Sequence, residues 1–379
     1  MQFNDIIGHK EIALSMQSMV DMAKLPHAIL FIERAGYGAL PLVLATIKYL
    51  FCSNKQDNAG TKDSCTSCNS CKKIEKLVHP DIHFLFPINT STLVEKDKKA
   101  SVEEFYPLWR SLVLENQYFS EQDLYAKLGI ENKLGVINVA QASGIIKKLS
   151  LSACEGKAKV VLIMFPERMN LEAANKLLKS LEEPLPDTYY FLITHNPDKM
   201  LVTVLSRCRR VEVPPIDNEE LKLALMRMND VEEREAQLLA NCARGSYSKA
   251  LAIIKKDNLE NVNYSVFMEM LEAAISKDLI GLFDIWEKVS LWGKESQKQF
   301  CSEGMELIRK LYMISLSLEE LSFASRQERE RLTVLSGRIK KDFFEKAYLY
   351  LESASDSVER NVNAKFIFCD LCNRFYYTI

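Results

Sequence analysis

Residues 27–51 read HAILFIERAGYGALPLVLATIKYLF, and the order of the pieces in that run decides the fold class. HAILFI (27–32) is a short continuous apolar run, the pattern of a strand buried on both faces. Gly36 and Gly38 follow in a short loop, and ALPLVLATIKYLF (39–51) has the length and composition of a helix. Strand, glycine loop and helix in that order form the setting of a phosphate-binding loop. The gripping residues are missing. With G-x-x-x-x-G-K-[ST] laid on residues 33–40, only Gly38 keeps its place. Glu33 stands for the first glycine, Ala39 for the lysine and Leu40 for the magnesium-binding hydroxyl. A carboxylate at Glu33 also repels phosphate. On these residues alone the run reads as a tight turn, for which Gly36 and Gly38 suffice.

Three further runs, DIHFLF (81–86), KVVLIM (159–164) and YYFLIT (189–194), share the strand pattern. Helical patterns lie between them, notably VINVAQASGIIKKLSLSA (136–153) and LEAANKLLKSLEE (171–183). Strands alternating with helices predict an α/β domain with a parallel sheet, covered on both faces. An ATPase places its second acidic centre at the end of a later strand. KVVLIM is that strand by pattern, but Met164 and Phe165, with Pro166 next, stand where the acids belong. Two separate sites of nucleotide chemistry are therefore blank, which points to a lost function rather than to chance.

VPPID (213–217) marks a border: two prolines halt regular structure and Asp217 can cap a new helix. Beyond it the pattern is helical throughout, with Gly245 separating two helices. The expected division is an α/β domain over 1–214, a small helical domain over 215–257 and an all-helical domain over 258–379. Within the first, NTSTLVEKDKKASVEE (89–104) reads as a polar surface insertion. Its neighbour FYPLWRSLVLENQYF (105–119) is aromatic enough to pack, against a surface the pattern does not identify.

At 379 residues the chain exceeds what one core usually serves. Its net charge of −2 argues against a protein coated in basic charge for nucleic acid, though not against one basic face. No apolar run reaches the roughly 20 residues of a membrane span. The start, MQFNDIIGHKE, lacks the basic-then-apolar layout of a secretory signal, so a cytoplasmic location is expected. Of the ten cysteines, four crowd into CSNKQDNAGTKDSCTSCNSC: Cys52, Cys65, Cys68 and Cys71. In a reducing compartment such a cluster reads as metal ligands. Two overlapping C-x-x-C steps bring three sulfurs to a point, and the fourth returns across a polar loop to complete an S₄ set suited to zinc. His79 is a competing fourth ligand, but it leads into a strand. A closed four-thiolate site is structural rather than catalytic. Cys369 and Cys372, in an apolar and aromatic tail, read as buried small hydrophobes.

The stretch AANKLLKSLEEPLPDTYYFLITHNPDKMLVTVLSRCRRVEV (173–213) closely resembles the clamp-loader subunits of bacterial DNA polymerase III, the delta prime and gamma/tau proteins of the AAA+ superfamily. FNDIIGHKEIALSMQSMVDMAKLPHAILF (3–31), the cysteine cluster and HPDIHFLFP (79–87) resemble the same family. The likeness spans about 1–87 and 135–257; the insertion at 88–134 has no counterpart. It implies an AAA+ domain of P-loop type with an inserted zinc module (52–71), a helical lid and a helical collar. The departures at Glu33, Ala39, Leu40, Met164 and Phe165 place the chain on the delta prime side of the family. So does Ser248, where a motor subunit carries a nucleotide-sensing arginine.

What survives is LSRC, with Ser206, Arg207 and Cys208. In the family that arginine reaches across a subunit interface to the neighbour's ATP and stabilises charge on the transferring phosphoryl group. Without the resemblance, a surface salt bridge is the plainer reading of Arg207. Arg209 and Arg210 add positive field, and Glu182 and Glu183 of LEEP read as a helix end with structural contacts. The implied protein hydrolyses no ATP itself and has structural zinc but no ATP site of its own. Its implied partners are gamma/tau-like and delta-like subunits, the sliding clamp indirectly, and primer–template DNA through the assembled complex. Two alternatives are an active gamma/tau-like ATPase with a divergent loop, and a zinc-stabilised scaffold outside replication.

Overall fold

The apolar runs become neighbouring strands of one parallel sheet. In a computed structural model the chain forms two units, Met1–Ala252 and Ile253–Ile379. It is described here except for residues 59–60, 92, 94–100, 131–132, 156–157, 257–261, 319–321 and 323–325. In the first unit β1 (Ala28–Ile32) is followed by a small antiparallel hairpin, β2 (Gln56–Asn58) with β3 (Thr61–Asp63). The sheet continues with β4 (Ile82–Leu85), β5 (Lys159–Met164), β6 (Thr188–Thr194) and β7 (Arg209–Glu212). Its spatial order is β4-β5-β6-β1-β7, parallel throughout. β1 lies inside the sheet, and Ile29, Leu30 and Phe31 are wholly buried, as its unbroken apolar run requires.

Alternate residues of these strands feed two helical layers. Ile29 and Phe31, with Phe84, Phe86, Leu162 and Phe191, share one core. The helices of that face are α1 (Lys10–Asp21), α2 (Ala39–Phe51), α4 (Val102–Glu115) and α5 (Glu121–Leu128); α3 (Asn69–Glu75) belongs to the cysteine module. Ala28 and Leu30, with Val161, Ile163 and Leu192, face α6 (Val139–Leu149), α7 (Leu171–Glu182) and α8 (Val202–Leu205). The expected two-faced α/β architecture is present.

In the segment 88–134 the structure supplies the packing surface that the sequence pattern leaves open. Of NTSTLVEKDKKASVEE, Thr90, Leu93 and Glu103 are exposed and Ser91 is buried, while residues 92 and 94–100 lie outside the described residues. From Ser101 onward the chain packs one face into the core. Ser101 and Glu104 form a reciprocal capping box that starts α4. Phe105, Trp109 and Val113 are then fully buried. Trp109 stacks on Phe86, with ring centroids 5.3 Å apart, and lies 4.6 Å from Phe84. FYPLWRSLVLENQYF thus closes one face of the sheet.

The first unit ends in helices α9 (Asn218–Asn229), α10 (Glu233–Ala243) and the start of α11 (Tyr247–Lys256). Asp217 caps α9 by accepting from the Glu219 amide at 2.9 Å. Gly245 separates α10 from α11 at φ +79°, where a Cβ would meet Pro215 at 2.4 Å.

The second unit contains no strand among its described residues. It is built of α12 (Val262–Ser276), α13 (Leu279–Ser290), α14 (Lys294–Ser315), α15 (Arg326–Ser336), α16 (Lys341–Glu359) and α17 (Ala364–Thr378). Phe267, Phe300, Leu311, Phe343, Leu351 and Phe375 fill its core. Cys301 and Cys372 are buried there too, and burial pushes both thiols up to about 12, so they serve as packing groups. Among the described residues no helix is long and apolar enough to cross a membrane.

Candidate functional site

Three constellations carry the chemistry expected from the sequence. The first is the cysteine module. The Sγ atoms of Cys52, Cys65, Cys68 and Cys71 all lie within 4.8 Å of one another, against the ~3.8 Å separation of a tetrahedral zinc–thiolate set. The Cys65 amide donates to Cys52 Sγ at 3.3 Å, and the Cys68 amide to Cys65 Sγ at 3.4 Å. Four converging soft donors with amides aimed at the sulfurs fit a structural metal ion. His79 is not among them: its Nε2 meets Glu155 Oε2 at 3.1 Å. The module also holds the start of the chain, because Gln2 Nε2 donates to Ser64 O at 2.6 Å and the Asn4 amide to Asp63 Oδ2 at 3.2 Å.

The second constellation is the glycine loop between β1 and α2. Gly36 and Gly38 have φ of +80° and +116°, conformations that explain their identity. The turn points the amides of Gly38 and Ala39 inward, the arrangement that receives an anion at a helix start. Here the anion is the chain's own. Glu33 Oε2 accepts from Gly38 N at 2.8 Å and Ala39 N at 2.9 Å. The side chains of Ala39 and Leu40 are buried in the core.

Surrounding residues close the loop. The Tyr118 ring stands 3.0 Å from where a Gly38 Cβ would be. Its hydroxyl accepts from the Ile7 amide at 2.9 Å, and its ring meets Tyr247 edge-on at 5.0 Å. His9 Nε2 pairs with Tyr37 O at 2.7 Å. From the helical end of the unit, Ser246 Oγ donates to Ala35 O at 2.7 Å and Tyr247 N to Gly36 O at 3.0 Å. A Cβ at Gly36 would lie 2.7 Å from Ser248 N, so this contact also requires glycine.

Met164 and Phe165 are buried at the end of β5. The carboxylate nearest in sequence, Glu167, is already committed: it accepts from Thr194 Oγ1 at 2.8 Å and from His195 N at 3.0 Å. His195 Nε2 in turn faces Glu33 Oε1 at 3.5 Å, and its ring meets Phe165 edge-on. Burial works against a charged imidazole, but Glu33, Glu167 and Glu121 together outweigh it and hold His195 above its ordinary value. Glu121 is paired by Arg168 at 2.6 and 3.0 Å; burial opposes its ionisation, and the guanidinium keeps its carboxyl below the usual range. Sequence reasoning missed His195, Glu167 and Tyr118. No local motif marks them, since their meaning comes from residues far along the chain.

The third constellation is LSRC, at the end of α8. Cys208 points inward, and burial pushes its thiol up to about 11. Ser206 is exposed and Arg207 half-buried. The Arg207 guanidinium pairs with Glu182 at the end of α7, donates to Thr203 O at 2.8 Å and to Ser206 Oγ at 3.2 Å, and leaves its Nε without a partner. Glu182 of LEEP therefore serves Arg207. Arg209 and Arg210 lie exposed on β7 at the sheet edge.

With this geometry in hand, the relatives of the chain can be compared. The family model described as DNA polymerase III, delta subunit, matches residues 8–217. DNA polymerase III subunit delta' of Bacillus subtilis is 26% identical over 304 residues, covering 80% of this chain and 76% of that protein. The Escherichia coli subunit of the same name is 30% identical over 232 residues, or 61% of this chain and 55% of its own length. Among solved structures, a gamma subunit-related protein from Thermotoga maritima covers 96% of this chain and 98% of its own, at 15% identity and a TM-score of 0.42, too loose a likeness to carry an argument.

Proposed function

The chain belongs to the delta prime family of DNA polymerase III subunits, and on that premise we propose that it is a clamp-loader subunit that neither binds nor hydrolyses ATP and instead offers Arg207 to a neighbour's nucleotide. The observation that carries the first half is the seat of Glu33. The two amides that would receive a phosphate already hold a carboxylate, and the lysine and hydroxyl positions are buried aliphatic side chains. An active ATPase with a divergent loop is disfavoured on the same ground. Support for the second half is the placement of a half-exposed Arg207 just beyond the end of α8.

On this reading residues 1–214 form the AAA+ domain, 215–257 the lid and 258–379 the collar. Its partners are gamma/tau-like and delta-like subunits. The sliding clamp and primer–template DNA are engaged through the assembled complex, in the cytoplasm at the replisome. Zinc held by Cys52, Cys65, Cys68 and Cys71 supplies structure rather than reactivity, tying β2, β3 and α3 together. Metal analysis is expected to find one zinc per chain, lost in Cys65→Ser or Cys68→Ser together with protease resistance of the module; metal-free protein with full resistance excludes zinc.

Two measurements test the rest. Titration of the isolated chain with ATP is expected to show no binding at micromolar nucleotide, and binding there refutes the closed loop. Arg207→Ala in the reconstituted complex is expected to reduce DNA-stimulated ATPase. An unchanged rate removes the trans role.

A further inference from the structure

Glu33 looks at first like simple loss: a glycine replaced by a group that repels phosphate. Its surroundings assign it a positive task. Glu33 is buried, and its two oxygens are used differently. Oε2 takes both loop amides, at 2.8 and 2.9 Å, while Oε1 faces the imidazole of His195 at 3.5 Å. Two inward amides are what a phosphate loop provides for its ligand. His195 is itself fixed, because its backbone amide donates to Glu167.

The loop so filled is also the surface on which the helical end of the unit rests. Ser246 Oγ reaches Ala35 O and the Tyr247 amide reaches Gly36 O, within three residues of the filled seat. Tyr118 lies against Gly38 and Tyr247 together. We propose that Glu33 is an intramolecular ligand of the loop: it occupies the phosphate seat and thereby holds the loop in the shape to which Ser246 and Tyr247 are latched. Glu33 is thus a positioning residue, and the site it fills is a cryptic one for a phosphate-class anion. This inference deepens the proposed non-hydrolysing role and rests on it.

The test is replacement of the internal anion by an external one. The unaltered chain, Glu33→Gly and Glu33→Gln are melted in chloride and in millimolar inorganic pyrophosphate at matched ionic strength. Hydrogen exchange is followed in a peptide spanning 245–250. Glu33→Gly leaves two buried amides without an acceptor, so its melting midpoint is expected to fall by roughly 4–24 °C. Exchange at 245–250 should rise with it. Pyrophosphate is expected to restore at least half of both losses in Glu33→Gly and to leave the unaltered chain unmoved.

Glu33→Gln keeps the volume and one acceptor oxygen, so it should loosen the peptide only in part and gain nothing from pyrophosphate. If Glu33→Gly does not fold in chloride, its refolding yield with and without pyrophosphate reads the same quantity. Equal response of all three proteins to pyrophosphate overturns the proposal. So does a Glu33→Gly protein that melts like the unaltered chain, or one that pyrophosphate does not rescue. The two readings fail separately. ATP binding by the unaltered chain defeats the non-hydrolysing role, whereas a silent unaltered chain with an unrescued variant defeats only the ligand role of Glu33.

Discussion

The glycine loop and the LSRC corner hold two sets of donors that a nucleotide could meet, and the chain treats them in opposite ways. At the loop, the inward amides are buried and answered by Glu33, with Tyr118 and Ser246 packed around them. At the corner, Arg207 sits half-exposed, its guanidinium supported from the side by Thr203, Ser206 and Glu182. Its neighbour Cys208 is anchored in the core, so the backbone beneath the arginine is fixed while the side chain is partly exposed. A donor set turned inward is saturated because a buried unmet N–H is costly. A donor set kept for another molecule has to stay at the surface.

The sharpest way to break this contrast is at Arg207. An arginine finger supplies on the order of 10³-fold in rate or more. Arg207→Ala should therefore cost about that factor at the adjoining nucleotide site, measured as DNA-stimulated ATPase in the reconstituted complex. Arg207→Lys should recover little, because an ammonium lacks the planar fork that meets two phosphate oxygens. Folding of the chain should be little affected in both, within about 1 kcal/mol, the most that a partly exposed ion pair contributes. A rate that falls only together with stability would mean that Arg207 is a structural salt bridge.

A smaller effect is expected on the closed side. Tyr118→Phe keeps the ring against Gly38 but removes the hydroxyl that accepts from the Ile7 amide. An orphaned buried N–H costs about 1–3 kcal/mol, which corresponds to a fall of roughly 2–12 °C in the melting midpoint for a unit of this size. The ATPase of the complex should be unchanged by the same substitution. If instead the rate falls and the melting point holds, the loop communicates with catalysis, and the division between an inert interior and a working rim is wrong.

How far each side could be read from sequence follows from the kind of information involved. Missing groups are legible: at Ala39, Leu40, Met164 and Phe165 the lysine, hydroxyl and acidic residues of the nucleotide-site pattern are absent by identity alone. So are features defined by short spacing, such as the four cysteines, the β1 run and the Asp217 cap. The filling of the loop is not, because whether Glu33 repels a phosphate or replaces one depends on the positive φ of Gly38 turning two amides back toward β1. Tyr118 and His195 arrive from 80 and more residues away in the chain, and only tertiary packing brings them together. The place of FYPLWRSLVLENQYF was half legible. Ser101 and Glu104 form an ordinary capping signature for the helix. Nothing local, however, says that Trp109 will stack on Phe86.

The smallest effect tests what holds the arginine ready. Glu182 and Arg207 form a partly exposed pair, and such pairs contribute about 0–1 kcal/mol. Glu182→Gln should therefore shift the melting midpoint by no more than roughly 4 °C. Its effect on the neighbour's reaction has a definite sign. Arg207 keeps two other supports, Thr203 O and Ser206 Oγ, so the side chain stays oriented when the carboxylate charge is gone. On the proposed trans role the carboxylate competes with a phosphate for the same guanidinium, and removing its charge would make the finger easier to release. The adjoining ATPase is then expected to rise, by at most about fivefold if the whole energy of the pair is recovered. A fall of similar size would show that Glu182 orients the finger rather than restrains it.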